Sequence, residues 1–294
     1  MRLEFNKLDT EILETLGLHY LELSNGFVHY QFAEKNSGPI ILLIHGFSVA
    51  SFIWDPTYKF LEDLGYRVLR YDLFGRGFSD RPKVRYCEEM YYQQLNELVQ
   101  QLNLKDESLS LIGQSMGGII AVQYYLKHFD RIERLVLISP AGLPIEKSSY
   151  PWILKIPFIN KLIFKNIGLR RVISETPQAF HNPSHFPHYE ELFKEQIKYK
   201  GYANALLSTL LHMPLQSMTS VYQQLALHKL SLLLIWGEND QNIPCTHAEK
   251  FKQLIPHLKY HKIPSSGHFP HYEQPDQVHP ILETFLSEKT TLEP

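Results

Sequence analysis

Leu111-Ile-Gly113-Gln-Ser115-Met-Gly117-Gly118-Ile-Ile-Ala decides how this chain of 294 residues reads. An aliphatic run of strand length enters a GxSxG turn, and an apolar stretch of helix length leaves it from about Gly118. The bare pattern is common by chance, but between a strand and a helix it makes a physical demand. The turn must be so sharp that the serine backbone is strained and its hydroxyl stands above a sheet, with Gly113 and Gly117 as flanks lacking a Cβ. The helix that follows brings free N–H groups and the positive end of its dipole. Ser115 is therefore the candidate nucleophile.

Outward from the turn, apolar runs alternate with helix-length segments: Ile40 to Ile44, Tyr66 to Tyr71, Leu109 to Ile112, Leu135 to Ile138 and Leu232 to Trp236. Their hydrophobicity is continuous, as expected for parallel strands covered by crossover helices on both faces, so the fold class is α/β with a mostly parallel sheet flanked by helices. Ahead of them, Tyr20 to Leu23 and Phe27 to Phe32 flank Asn25-Gly26, which predicts an antiparallel hairpin. The strand rhythm stops after Pro140-Ala-Gly142 and resumes at Leu232. Residues 1–141 and 222–294 are accordingly expected to form the core, and 142–221 an inserted helical cap.

A serine hydroxyl needs a base within hydrogen-bond reach, and the base needs an orienting acid. Trp236-Gly-Glu-Asn-Asp240 follows one predicted strand and Ser266-Gly-His268 follows Tyr260 to Ile263, so both loops should open at the same carboxyl edge as Ser115. Asp240 and His268 are the expected partners, with Glu238 and His271 as rivals. The run Ile41-Leu-Leu-Ile-His45-Gly46-Phe47 ends a buried strand in a His-Gly turn. Its Phe47 N–H and the N–H of Met116 are the candidate oxyanion donors, and His45 is expected to brace the loop.

Composition narrows the class. A formal net charge of -2, with Lys and Arg spread along the chain, offers no basic stripe for a phosphate backbone, so no nucleic-acid partner is expected. Cys87 and Cys245 lie far apart, outside any CxxC or metal-ligand spacing. Acidic residues interrupt the opening MRLEFNKLDTEILETLG, and no window holds the roughly 18 apolar residues of a membrane span, which predicts a cytoplasmic protein, at most peripheral on a membrane. The sequence carries no signal of oligomeric state.

His45-Gly46-Phe47, Tyr71-Asp72-Leu-Phe-Gly75-Arg-Gly77-Phe-Ser79-Asp80, Gly113-Gln-Ser-Met-Gly-Gly118, Trp236-Gly-Glu-Asn-Asp240 and Ser266-Gly-His268 stand in the order of the α/β-hydrolase family. Over nearly all the chain outside the cap region, the sequence resembles that family. The resemblance implies a triad of Ser115, Asp240 and His268, oxyanion donors at Phe47 and Met116, a structural loop at Asp72 to Asp80, and a helical cap shaping an acyl pocket. Serine at the elbow separates the chain from the haloalkane dehalogenases and epoxide hydrolases it otherwise resembles, which use Asp there. It looks most like bacterial lipases, esterases and lysophospholipases, with an elbow similar to that of acylglycerol lipases. The same motifs fit hydrolases that cleave C–C bonds in ring-fission diketones, and a non-catalytic small-ligand binder on this fold is the reading from another class.

The region from Trp152 to Ile167 is rich in apolar side chains, and Trp152, Phe158 and Phe164 are the expected substrate-binding residues of an acyl pocket. Interleaved Lys155, Lys161, Lys165, Arg170 and Arg171 would suit peripheral contact with a lipid surface. His181, His185 and His188 lack an accompanying carboxylate set, so no metal and no cofactor are expected. The expected activity is hydrolysis of a small-molecule or lipid ester with a hydrophobic acyl chain through an acyl-enzyme.

Overall fold

The computed structural model describes residues 3–145, 161 and 163–288. Trp152 and Phe158 lie outside the described residues. Eight strands form one sheet: β1 (Tyr20–Leu23), β2 (Gly26–Phe32), β3 (Ile40–Ile44), β4 (Arg67–Tyr71), β5 (Leu109–Gln114), β6 (Ile132–Ile138), β7 (Ser231–Gly237) and β8 (Lys259–Ile263). Their order is β1-β2-β4-β3-β5-β6-β7-β8. The first hairpin is antiparallel, β2 joins β4 antiparallel, and every pairing from β4 to β8 is parallel. The hairpin expected at Asn25-Gly26 forms one residue earlier. Leu23 pairs with Gly26, so Ser24 and Asn25 make the turn.

Each central strand sends alternate residues to opposite faces, and both faces are dry. From β3, Ile40, Leu42 and Ile44 enter one apolar layer, while Ile41 and Leu43 enter the other. From β7, Leu232, Leu234 and Trp236 join the first layer, and Leu233 and Ile235 the second. Each such fully buried aliphatic side chain contributes about 1.5–3 kcal/mol relative to exposure.

The helices are α1 (Thr10–Thr15), α2 (Asp55–Asp63), α3 (Glu88–Gln101), α4 (Met116–Lys127), α5 (Leu169–Glu175), α6 (Pro187–Gln196), α7 (Tyr202–His212), α8 (Thr219–Leu225), α9 (His247–Leu254), α10 (Pro270–Glu273) and α11 (Pro275–Ser287). Residues of α3, α4, α8 and α9, such as Leu98, Ile119, Tyr222 and Phe251, fill the first layer. Tyr58 of α2 and Leu282 of α11 help fill the second.

The long β6–β7 connection leaves and re-enters the core at one place, where Gly142 exchanges backbone hydrogen bonds with Leu215 and Met218 at 2.8 Å each. An amino-terminal arm is laced to it. Glu4 and Asn6 donate to the Ile197 and Lys198 carbonyls, Lys200 donates back to Asn6, and the Glu4 carboxylate accepts the Gly201 and Ala203 N–H groups at the start of α7. No helix among the described residues is long and apolar enough to cross a membrane.

Candidate active site

Ser115 stands between β5 and α4 with φ 53° and ψ −119°, a conformation an L-residue adopts only when its surroundings impose it. They do so from three sides. The Ser115 N–H donates to Ile138 O at 2.9 Å, and the Ser115 carbonyl accepts from Gly118 at 3.0 Å and Ala141 at 3.1 Å. The flanking glycines are required by close approach. A Cβ at Gly117 would stand 2.1 Å from Ile44 O, and one at Gly113 2.5 Å from Gly117 O. Ser115 is 7% exposed.

Asp240 follows β7 and His268 follows β8, at the carboxyl edge shared with β5. His268 Nδ1 lies 2.8 Å from Asp240 Oδ2. The other Asp240 oxygen accepts the Asn242 and Ile243 N–H groups at 2.9 Å each, which locks the carboxylate. With Nδ1–H donated to the acid, Nε2 carries the lone pair of a neutral base. The His268 carbonyl accepts from Gln114 Nε2 at 3.3 Å, so the loop bearing the imidazole is tied to the residue preceding Ser115.

The two rivals are engaged elsewhere. Glu238 pairs with Lys262 at 2.6 Å on the exposed surface. His271 is fully buried with its ring 4.2 Å from that of Trp54, and burial pushes its pKa down to about 3.

The turn after β3 meets the elbow directly, since a Cβ on Gly46 would stand 3.1 Å from the Ser115 Cβ and 2.4 Å from Gln114 Oε1. Among the described residues, neither the Phe47 nor the Met116 N–H has a protein acceptor. Both amides are available to a ligand oxygen. His45 braces this turn as expected: its Nδ1–H donates to Gly46 O at 3.0 Å, and its Nε2 accepts the Leu73 N–H at 2.9 Å. Burial pushes its pKa down to about 4, keeping it neutral. Asp72 anchors the loop behind it, accepting from Ser51 N at 2.7 Å, Phe78 N at 2.8 Å and His29 Nδ1 at 2.8 Å. Burial acts to raise the Asp72 pKa, but the His29 imidazole and these bonds hold it well below the usual carboxylate range.

Sequence reasoning missed three residues that bear on this site. Gln114 is the bridge already described. Glu273, in α10, accepts the Gly267 N–H at 2.7 Å and the His181 N–H at 2.8 Å, joining the imidazole loop to the β6–β7 connection. Arg76 donates from Nε to the Phe47 carbonyl at 2.8 Å. The signal for Glu273 was its place five residues after His268 in a loop already singled out, and that for Arg76 was a charge set between two glycines.

The connection sits directly on the imidazole loop. His268 N donates to Ala179 O at 2.6 Å, and a Cβ at Gly267 would stand 2.3 Å from that same oxygen. Of the residues expected to touch substrate, Phe164 is buried in the second apolar layer, in a turn (Phe164–Gly168) packed on α7. Among the described residues no group of three His, Cys, Asp or Glu side chains is arranged to hold a metal ion.

A strained serine between strand and helix, at one sheet edge with a paired imidazole and carboxylate, belongs to a known architecture, and the alpha/beta hydrolase fold family matches residues 39–275. The chain is a member of that family. It is 26% identical over 297 residues to Lipase 1 of Psychrobacter immobilis, covering 97% of this chain and 86% of that one. Among solved structures, it is similar to the enol-lactonase from Burkholderia xenovorans LB400, with TM-score 0.77 and 21% identity over 92% of this chain and 100% of the other. A meta-cleavage product hydrolase from Pseudomonas fluorescens IP01 gives TM-score 0.75 at 21% identity, over 92% and 98%. At such identities these structures establish the fold, while the chemistry rests on the site.

Proposed function

We propose that this protein is a serine hydrolase of carboxylic esters with a hydrophobic acyl chain, using Ser115 as nucleophile, His268 as base and Asp240 as its orienting acid. The observation that carries the reading is the 2.8 Å contact between His268 Nδ1 and Asp240 Oδ2, because it leaves Nε2 as the one basic nitrogen of the ring. Ser115 Oγ attacks the ester carbonyl as its proton passes to Nε2. The Phe47 and Met116 N–H groups hold the oxyanion that forms, and collapse expels the alcohol, which takes the proton from His268. A water then gives its proton to Nε2 and attacks the acyl-enzyme, releasing the acid and restoring Ser115. These steps need neither metal nor cofactor.

Residues 142–221 are the proposed cap, with Phe164 on the acyl side and the Lys and Arg residues of this region offering contact to a lipid surface. The Ala179 and His181 contacts to the imidazole loop support placing the connection over the site. A cytoplasmic location fits this picture. The likeness to Lipase 1 favours esters over the C–C bonds of ring-fission diketones.

Turnover of p-nitrophenyl esters of graded chain length tests this, beside Ser115→Ala and labelling by a fluorophosphonate probe. Activity on esters that vanishes in Ser115→Ala supports it. Activity retained there ends it, and strong turnover of a vinylogous diketone with none on esters moves the assignment to C–C hydrolysis.

A further inference from the structure

Arg76 is fully buried, and its hydrogen-bond acceptors among the described residues are all neutral: Phe47 O at 2.8 Å, Phe74 O at 3.3 Å, Tyr91 OH at 2.9 Å and Thr209 Oγ1 at 3.0 Å. The Phe47 and Tyr91 rings flank the guanidinium, with centroids at 5.5 and 5.9 Å. A buried cation with no carboxylate partner is costly, and a fold that only needed to fill this space would do better with an apolar side chain. The cost is explained if the guanidinium has work at the neighbouring turn.

Its place suggests what that work is. The bond from Nε fixes the carbonyl of Phe47, and with it the residue whose N–H is the candidate oxyanion donor. The next carbonyl, Ser48 O, is held separately by Gln196 Nε2 at 2.9 Å and Tyr202 OH at 2.6 Å, so the turn does not depend on Arg76 for its general position.

We propose that Arg76 is a positioning residue of the oxyanion hole, holding the Phe47 residue in its donating orientation through the Phe47 carbonyl. The inference rests on the reading of Ser115 as nucleophile. Thr209, on α7, anchors the far side of the guanidinium, so part of its alignment comes from the connection between β6 and β7.

The test uses the full chain and measures kcat and KM on a water-soluble ester, together with affinity for a trifluoromethyl ketone, which adds to the serine and places an oxyanion in the hole. Arg76→Lys keeps the charge but loses the fork, and is expected to lower kcat about 10- to 100-fold with KM within about threefold, weakening the ketone by the same factor. Thr209→Val removes one anchor and keeps both the charge and the Phe47 bond; kcat should fall about threefold to tenfold with KM unchanged. A folded Arg76→Lys with kcat within twofold of the wild type, or with undiminished ketone affinity, overturns the proposal. Should that variant not fold, unchanged kcat in Thr209→Val does the same. Wild-type protein whose Ser115 resists the fluorophosphonate loses the nucleophile assignment and this inference together. A labelled Ser115 with unaltered Arg76→Lys kinetics removes the role of Arg76 alone.

Discussion

Glu273 Oε1 receives the Gly267 N–H at 2.7 Å, one residue from the imidazole, while Oε2 of the same carboxylate receives the His181 N–H at 2.8 Å. One buried acid therefore holds both the loop that carries the candidate base and the segment that lies across it. Burial pushes its pKa from 4.5 up to about 7, against the backbone N–H bonds that favour its charge.

The sign of the resulting pH dependence follows. Between pH 4.5 and about 7 the unfolded carboxyl has lost its proton and the folded one has not, so folding takes up a proton and Glu273 makes stability fall as pH rises through this window. Glu273→Gln should abolish that component. Thermal melts of both proteins from pH 4.5 to 8 check it, and parallel Tm profiles would contradict the raised pKa.

Buried neutral histidines pull the other way. His45 and His271 are held down at about 4 and about 3 by burial, so below pH 6.5 the unfolded state takes up protons that the folded state refuses. Their stability is complete above pH 6.5 and is lost as pH falls toward 4, at up to about 1.4 kcal/mol per pH unit for each. Two such groups outweigh the opposing acid, and denaturant midpoints should drop with acidification over this range. His271→Phe, whose ring can still lie on Trp54, should drop more shallowly; an unchanged slope would count against a neutral, buried His271.

Asp240→Asn keeps an oxygen for the Asn242 and Ile243 N–H groups but loses the charge facing His268 Nδ1. On a soluble ester, kcat should fall about 10³- to 10⁴-fold with little change in Tm. Glu238→Gln, which touches only the surface pair with Lys262, should stay within twofold. Equal losses in the two variants would reopen the choice of acid.

Backbone crowding at the elbow makes a sharper stability test. A methyl at Gly117 meets Ile44 O at 2.1 Å and His45 O at 2.6 Å, two atoms that cannot swing aside. Gly117→Ala is expected to cost more than about 3 kcal/mol in urea denaturation or to give no folded protein. Gly65→Ala meets nothing within 4 Å and suffers only from its positive φ of 88°, which should cost about 1–2 kcal/mol. Comparable losses would mean that the elbow can relax.

Local chemistry accounts for what could be read in advance. The Gly113-Gln-Ser-Met-Gly turn, the aliphatic strands and the order of Ser115, Asp240 and His268 are legible because each is a short-range pattern of residue type and spacing. The antiparallel seating of β2 on β4, the Gln114 bridge and the Arg76 bond to Phe47 join residues 29 to 154 positions apart, through contacts that no periodicity encodes. Glu273 looked like a loop acid, since a carboxylate becomes a buried strut only when two backbone donors from distant segments converge on it. The turn at Ser24-Asn25 differed by one residue because hairpin register is set by cross-strand pairing as well as by turn composition.

The amino-terminal arm gives the molecule a mechanical asymmetry. Glu4 and Asn6 are stitched to residues 197–203 and not to the sheet, so a tether fused ahead of them would load the β6–β7 connection before any strain reached β1. Handles, immobilisation chemistry and affinity tags at that end therefore pull on the β6–β7 connection, whereas the same attachments after α11 pull on a helix packed against the sheet.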